Sequence, residues 1–263
     1  MKVNIGVGMF SKNRVNSGVK LKIDELEKIL DSNIFFSEDI DFIDGATTID
    51  HLVPNKLIFL DEISDKNFKI LEKIKNETIC LLIIKSKYKK KIKVPHILSD
   101  SPRVIFSNIV CHIFGYPDKY FNNCYSSEEL KTNFPGVNIM QGCSIHKNTE
   151  IGKGSVIFPN VYIGPNCKIG KRVIIKPNTT IGAPGFGIIS CQSLKHTHLP
   201  HVGGVNIQND VEIGALNTIC SGTIHPTVIS QHSKFNDHVH LAHNCNIKKG
   251  VQIGAHAVVC GGV

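Results

Sequence analysis

"IGKGSV" at 151–156 and "IGPNCK" at 163–168 share one grammar: an isoleucine, a glycine, and a small residue four places after the isoleucine. Extended in both directions, the frame puts isoleucine at 139, 145, 151, 157, 163, 169, 175 and 181 without a miss. Cys143, Thr149, Ser155, Val161, Cys167, Val173, Thr179 and Gly185 fill the companion slot. The frame breaks, resumes at Ile207, Ile213 and Ile219, breaks again, and resumes at Ile229, Phe235, Leu241, Ile247, Ile253 and Val259. A fixed short period sustained this long marks a solenoid. Each hexad supplies one large inward residue, then a corner and a small inward residue. Three hexads close a triangular turn, and turns stack as parallel strands around a continuous core. The expected fold is mainly β, a left-handed parallel β-helix over 134–263, which departs from the right-handed crossover rule. Cys143, Cys167 and Cys245 fall on the small slot, so they read as packing residues.

Residues 1–133 follow no such period. "KIDELEKIL" (22–30) has helical amphipathicity with early acidic residues, and "PRVIFSNIVCHIF" (102–114) opens on a proline suited to a helix start. "KLIFL" (56–60) and "ICLLII" (79–84) read as strands, so a small α/β domain is expected over 1–133. "YSSEELKTNFPG" (125–136) reads as a linker into the first coil. Gly6 and Gly8 in "VNIGVGMF" lack the third glycine of a dinucleotide fingerprint. The six lysines of "KSKYKKKIK" (85–93) read as a solvated loop, with a docking surface for phosphates or an acidic carrier as the rival.

The net charge of +8 over 263 residues favours an anionic partner, such as a nucleotide diphosphate, an acidic carrier protein or nucleic acid. Nine cysteines at wide spacings, none in C-x-x-C, argue against a zinc ribbon or a disulfide framework and for reduced thiols. There is no eighteen-residue apolar run and no cleavage-site pattern near the start, which leads to an expectation of a cytoplasmic chain without a transmembrane segment. The array stops at "CGGV" in mid-pattern, as a truncated solenoid would.

Interruptions of a solenoid are where loops carry binding. The first, 182–204, reads "GAPGFGIISCQSLKHTHLPHVGG"; the second is "GTIHPTV" (222–228), shortly before "DHVHLAHNCN" (237–246). Both interruptions and this histidine cluster fall in one part of the array.

"GAPGFG" (182–187), "LPHVGGVNIQNDVEIGA" (199–215) and "FNDHVHLAHNCNI" (235–247) resemble the UDP-3-O-acylglucosamine N-acyltransferases of lipid A biosynthesis, a hexapeptide-repeat acyltransferase family. The likeness runs weakly into "FIDGATTIDHLVPNKLIFL" (42–60), which resembles that family's uridine-binding domain. The resemblance implies transfer of an acyl group from a phosphopantetheine thioester, on acyl carrier protein or CoA, to the amine of a nucleotide-linked amino sugar. It implies a homotrimer, no permanently bound cofactor or metal, and no nucleic-acid partner. It makes His243 the general base, and imidazole is the side chain that ordinarily titrates near neutrality. Asn236, Asp237 and His240, with Gly185, Phe186 and Gly187 of the G-F-G loop, would contact substrate, and Phe59 would stack on the nucleotide base.

Three departures stand beside the likeness. Cys220 and Ser221 occupy the place of an Asp-Arg pair, Asp65 stands where a base-stacking tyrosine is expected, and Asn236-Asp237 reverses the usual order. An acetyl-CoA-dependent nucleotide-sugar acetyltransferase is the nearest alternative. A zinc site of the gamma-class carbonic anhydrase kind, from His238, His243 and His201, is another, and an inactive scaffold is the third.

Overall fold

A computed structural model describes residues 16–30, 34–35, 39–74, 79–190 and 196–263. The glycines at 6 and 8 lie outside these. From residue 138 the chain forms two- to four-residue strands that pair only in parallel across three stacked sheets, apart from the small excursion described below. Ile145 pairs with Ile163 and Ile163 with Ile181, so partners lie three hexads apart. The architecture is the left-handed parallel β-helix that the hexads predict.

Each layer of the core repeats the same chemistry. Ile145, Ile157, Ile163, Ile175, Ile181 and Ile213 are fully buried. The polar members of the small slot are satisfied by a carbonyl one turn on: the Thr149 hydroxyl donates to Gly164 (3.1 Å), Ser155 to Gly170 (2.9 Å) and Thr179 to Gly214 (2.8 Å). Corners need one residue in the left-handed region, and Asn160, Asn166 and Asn178 take it at φ 56–59°. Asparagine tolerates that region better than most side chains.

The register jumps twice. Ile169 pairs with Ile207, and Ile207 with Ile229, so the intervening chain is extruded as the two interruptions. The first carries a small antiparallel ladder, Ile188–Ile189 with Thr197–His198.

The N-terminal unit is α/β. Strands Leu57–Leu60, Leu81–Ile84 and His96–Leu98 form a parallel sheet. Leu81–Ile84 is buried along its whole length, as a strand covered on both faces must be. Leu81 and Ile83 face the helix Pro102–Phe114, and Leu82 and Ile84 face a second cluster with Ile63 and Leu71. That helix begins at the predicted proline and ends at Gly115, whose φ of 62° closes the last turn. The amphipathic stretch near 22–30 is the helix Ile23–Leu30.

Two expectations change. The stretch read as a linker contains the helix Ser127–Asn133, opened by a Ser126/Glu129 capping box. Its flanks Tyr125 and Phe134, with Leu130, pack on the β-helix core, because the first turn would otherwise leave its apolar end open. The lysine run forms a short 3-10 helix, Ser86–Lys91, where Lys85, Lys87 and Tyr88 all bond Glu62.

The N-terminal unit sits on the interruptions. Val202 and Ile224 join its core, the Ser107 hydroxyl donates to the His198 carbonyl (2.8 Å), and the buried Tyr120 hydroxyl donates to the Val202 carbonyl (3.2 Å). Thr48 Oγ1 lies 2.9 Å from His225 Nε2.

Candidate active site

A cleft of about 580 Å³ opens where the two units meet. Thr47, Thr48, Phe59 and Arg103 line it from the N-terminal side. Leu199, Thr223, His225, His243 and Asn244 line it from the β-helix side. Phe59 comes from the first strand of the parallel sheet and rests on Phe106, ring centroids 4.7 Å apart.

His243 follows the strand His240–Leu241, whose Leu241 is fully buried and fixes the corner. The next residue, Asn244, adopts φ 62° and bonds the second interruption three times: its Oδ1 accepts from the Thr223 N–H (2.7 Å), its Nδ2 donates to Thr223 Oγ1 (3.3 Å), and its N–H donates to Thr227 Oγ1 (3.0 Å). Asn244 thus fastens the backbone next to His243. The imidazole is half-buried rather than an open corner side chain, because the first interruption folds over it. A Cβ on Gly185 would come within 2.8 Å of His243 Cβ and 2.9 Å of His201 Nε2, and one on Gly187 within 2.7 Å of His201 Cε1. Both glycines of G-F-G are required by this close approach.

His201 is 1% exposed and meets His243 edge to face, with centroids 4.9 Å apart. Both its ring nitrogens and Nδ1 of His243 are buried without a hydrogen-bond partner. Nε2 is the His243 ring nitrogen outside that buried, unpartnered set, and it lies near Gly261, where an added Cβ would come within 3.0 Å of it. Burial, then the neighbouring His243, pushes the His201 imidazole down to about 4, so it is neutral at pH 7. His225 is also shifted down, by burial and then by His51, whose ring lies 4.8 Å away. A half-buried imidazole, backed by a neutral ring, can accept a proton from a bound nucleophile.

The remaining sequence-predicted residues lie elsewhere. Asn236 and Asp237 occupy the preceding corner, where Asp237 Oδ1 accepts from the Ala215 N–H (2.7 Å) and Asn236 Oδ1 from the Asp237 N–H (2.8 Å). His240 is exposed on the outer sheet face beside Thr218 and Val258, and Phe186 is 86% exposed. The zinc trio is not assembled. His238 stacks on His256 at its own corner (4.7 Å, 7°), whereas His201 and His243 meet at the cleft. Among the described residues, no group of three or more His, Cys, Asp or Glu is placed to hold a metal. Asp65, in the place expected for a stacking tyrosine, begins the helix Asp65–Leu71. Arg103 stands over Phe59 instead, its guanidinium carbon 5.9 Å from the ring centroid. Sequence reading misses Arg103 because it is far from Phe59 in sequence and belongs to no repeat.

Known proteins sharpen this picture. A family model described as "Bacterial transferase hexapeptide (six repeats)" matches residues 148–183. UDP-3-O-acylglucosamine N-acyltransferases from Helicobacter pylori strains J99 and 26695 are each 31% identical to this chain over 245 residues, covering 86% of it and 70% of their own length. The chain belongs to the UDP-3-O-acylglucosamine N-acyltransferase family. It is an acyltransferase by that membership. The alignment with these family members is too long to fall within the β-helix alone, so it takes in both walls of the cleft. Among solved structures, a UDP-N-acetylglucosamine acyltransferase from Francisella novicida is 22% identical with a TM-score of 0.39, covering 49% of this chain and 54% of its own.

Proposed function

We propose that the chain transfers an acyl group from a phosphopantetheine thioester to the amine of a nucleotide-linked amino sugar. The observation that carries this reading is that Phe59 and His243, from different units, line one cleft. Membership in a family of nucleotide-sugar acyltransferases supports it. The base of the nucleotide stacks on Phe59, and the sugar amine reaches His243. The amine nitrogen attacks the thioester carbonyl carbon, forming the amide as the carbon–sulfur bond breaks. His243 Nε2 takes the proton from the nitrogen and returns one to the departing thiolate. Gly185 and Gly187 hold the first interruption over the imidazole, and Asn244 fixes the corner that bears it. His240, Asn236, Asp237 and Phe186 lie on outer surfaces, where a second copy in a homotrimer would bring them to substrate. Either acyl carrier protein or CoA supplies the thioester, and the reaction is cytoplasmic, where both donors are made.

A thiol-release assay tests the reading, with UDP-linked amino sugars and a panel of acyl-CoA and acyl carrier protein donors. Release that needs both substrates is expected, and His243→Ala lowers it about 10²- to 10⁴-fold with an unchanged melting curve. Release that His243→Ala leaves intact removes the base assignment. Preference for acetyl-CoA over every long-chain donor selects the acetyltransferase alternative.

A further inference from the structure

We infer that Arg103 is the residue that reads the diphosphate of the nucleotide sugar, an inference that rests on the nucleotide-sugar reading of the cleft. A nucleoside diphosphate brings two phosphates with their negative charge into any site that holds it. Among the described residues lining this cleft, Arg103 is the one lysine or arginine, and no aspartate or glutamate lines it. The histidine at 225 is shifted down, by burial and then by His51, which disfavours its charged form.

The guanidinium is oriented in advance. Arg103 Nε donates to Asp61 Oδ2 at 2.5 Å, which fixes the plane of the group beside the Phe59 ring. The two terminal nitrogens have no protein partner among the described residues, so their N–H donors stay available. The side chain is 58% exposed and its open edge is accessible to a ligand in the cleft. A planar fork anchored through Nε and open at both terminal nitrogens is the geometry that takes an anion bidentately. Phe59 offers the face for a base, and Arg103, directly beside it, offers donors for the phosphates attached to that base. Helix position keeps the two together: Arg103 lies in the first turn of Pro102–Phe114, and Phe106, one turn on, packs against Phe59.

Titration calorimetry on the full chain tests this, with uridine, UDP and UDP-N-acetylglucosamine as the probes. Wild type binds UDP more tightly than uridine, and added salt narrows the gap. Arg103→Ala lowers UDP affinity about 10- to 100-fold, the range of hydrogen bonds to a charged group. It changes uridine affinity less than about threefold, so the preference for UDP collapses. Arg103→Lys keeps the charge without the fork and restores part of the preference. Phe59→Ala, by contrast, weakens uridine and UDP together. If Arg103→Ala retains the wild-type ratio of UDP to uridine affinity, the inference is overturned and the nucleotide reading stands. If wild type binds none of the three probes, the nucleotide reading falls, and the assignment of Arg103 falls with it.

Discussion

In the β-helix, Ile145 lies beside Ile163 and Ile163 beside Ile181, so each buried side chain meets its own equivalent one turn away. In the N-terminal unit, Phe106 closes a cluster gathered from Leu21 to Ile224, whose members come from unrelated segments. The first kind of core spreads a defect only to adjacent turns; the second has a central ring on which distant segments depend. Phe59, on the N-terminal wall of the cleft, leans on that central ring. The proposed catalytic histidine stands on the regular half and the proposed nucleotide wall on the irregular half, so damage to each half has a different signature.

The largest expected effect breaks this comparison at its centre. Phe106→Ala removes a fully buried ring and costs about 3–5 kcal/mol. Ile175→Val, within the repeated stack, costs about 0.5–1.5 kcal/mol. Urea melts followed by far-ultraviolet circular dichroism measure both. Calorimetry adds the second readout: Phe106→Ala weakens uridine binding through Phe59, and Ile175→Val leaves it unchanged. Equal losses of uridine affinity in the two variants would mean that the cleft depends on the β-helix core as much as on the N-terminal one.

A smaller effect sharpens the contrast between a repeat and its interruption. Along the repeat, buried hydroxyls at Thr149, Ser155 and Thr179 each find a carbonyl one turn on. His201, in the interruption, keeps two buried nitrogens without a partner. Its folded-state pKa is near 4, set by burial and then by His243 and, last, His198, against an unfolded value of about 6.5. Between those values the unfolded chain binds more protons than the native one. The contribution of neutral His201 is therefore complete above about pH 6.5 and is lost as pH falls through 4. Its size is on the order of 3 kcal/mol. His201→Gln, which does not titrate, should flatten the stability curve between those limits relative to wild type. Denaturant midpoints taken from pH 4 to 7 check it, and parallel curves would show that the proton load lies on other histidines.

The same division explains how much of the molecule is legible in its sequence. The hexads name the β-helix and its inward residues because every layer solves one packing problem with one residue type, and Ile213 or Leu241 is buried for the reason Ile145 is. The two breaks mark the cleft because a periodic chain leaves its period only to build something else. His243 and Phe59 are readable from motif likeness, and both line the cleft. Arg103 and Asn244 carry no such signal. Arg103 reaches Phe59 only through the packing of a helix on a sheet, and Asn244 gains its role through bonds to Thr223 and Thr227 across a turn. Asn236 and Asp237 follow the motif but commit their side chains to backbone N–H groups at another corner. The linker hides a helix because its capping box lies beside Tyr125 and Phe134, whose packing depends on a core the linker does not contain.

The smallest expected effect lies on the outer face of the regular half. The register sets Glu150 beside Lys168, and their side chains meet at 2.7 Å. Glu212 likewise faces Lys234 across one pair of turns and reaches Lys176 on the other side at 2.9 Å. These charges alternate in sign because residues one turn apart lie side by side, where like charges repel. They remain largely solvated, so each pair contributes little and what it contributes is screened. Lys168→Glu sets two carboxylates side by side at a position that packing does not decide. It should lower the melting midpoint slightly at low salt, by less than Ile175→Val, and high salt should erase the difference. A loss that survives high salt would mean that the Lys168 stem packs on the sheet surface, and that even the most repetitive part of the molecule relies on contacts its period does not display.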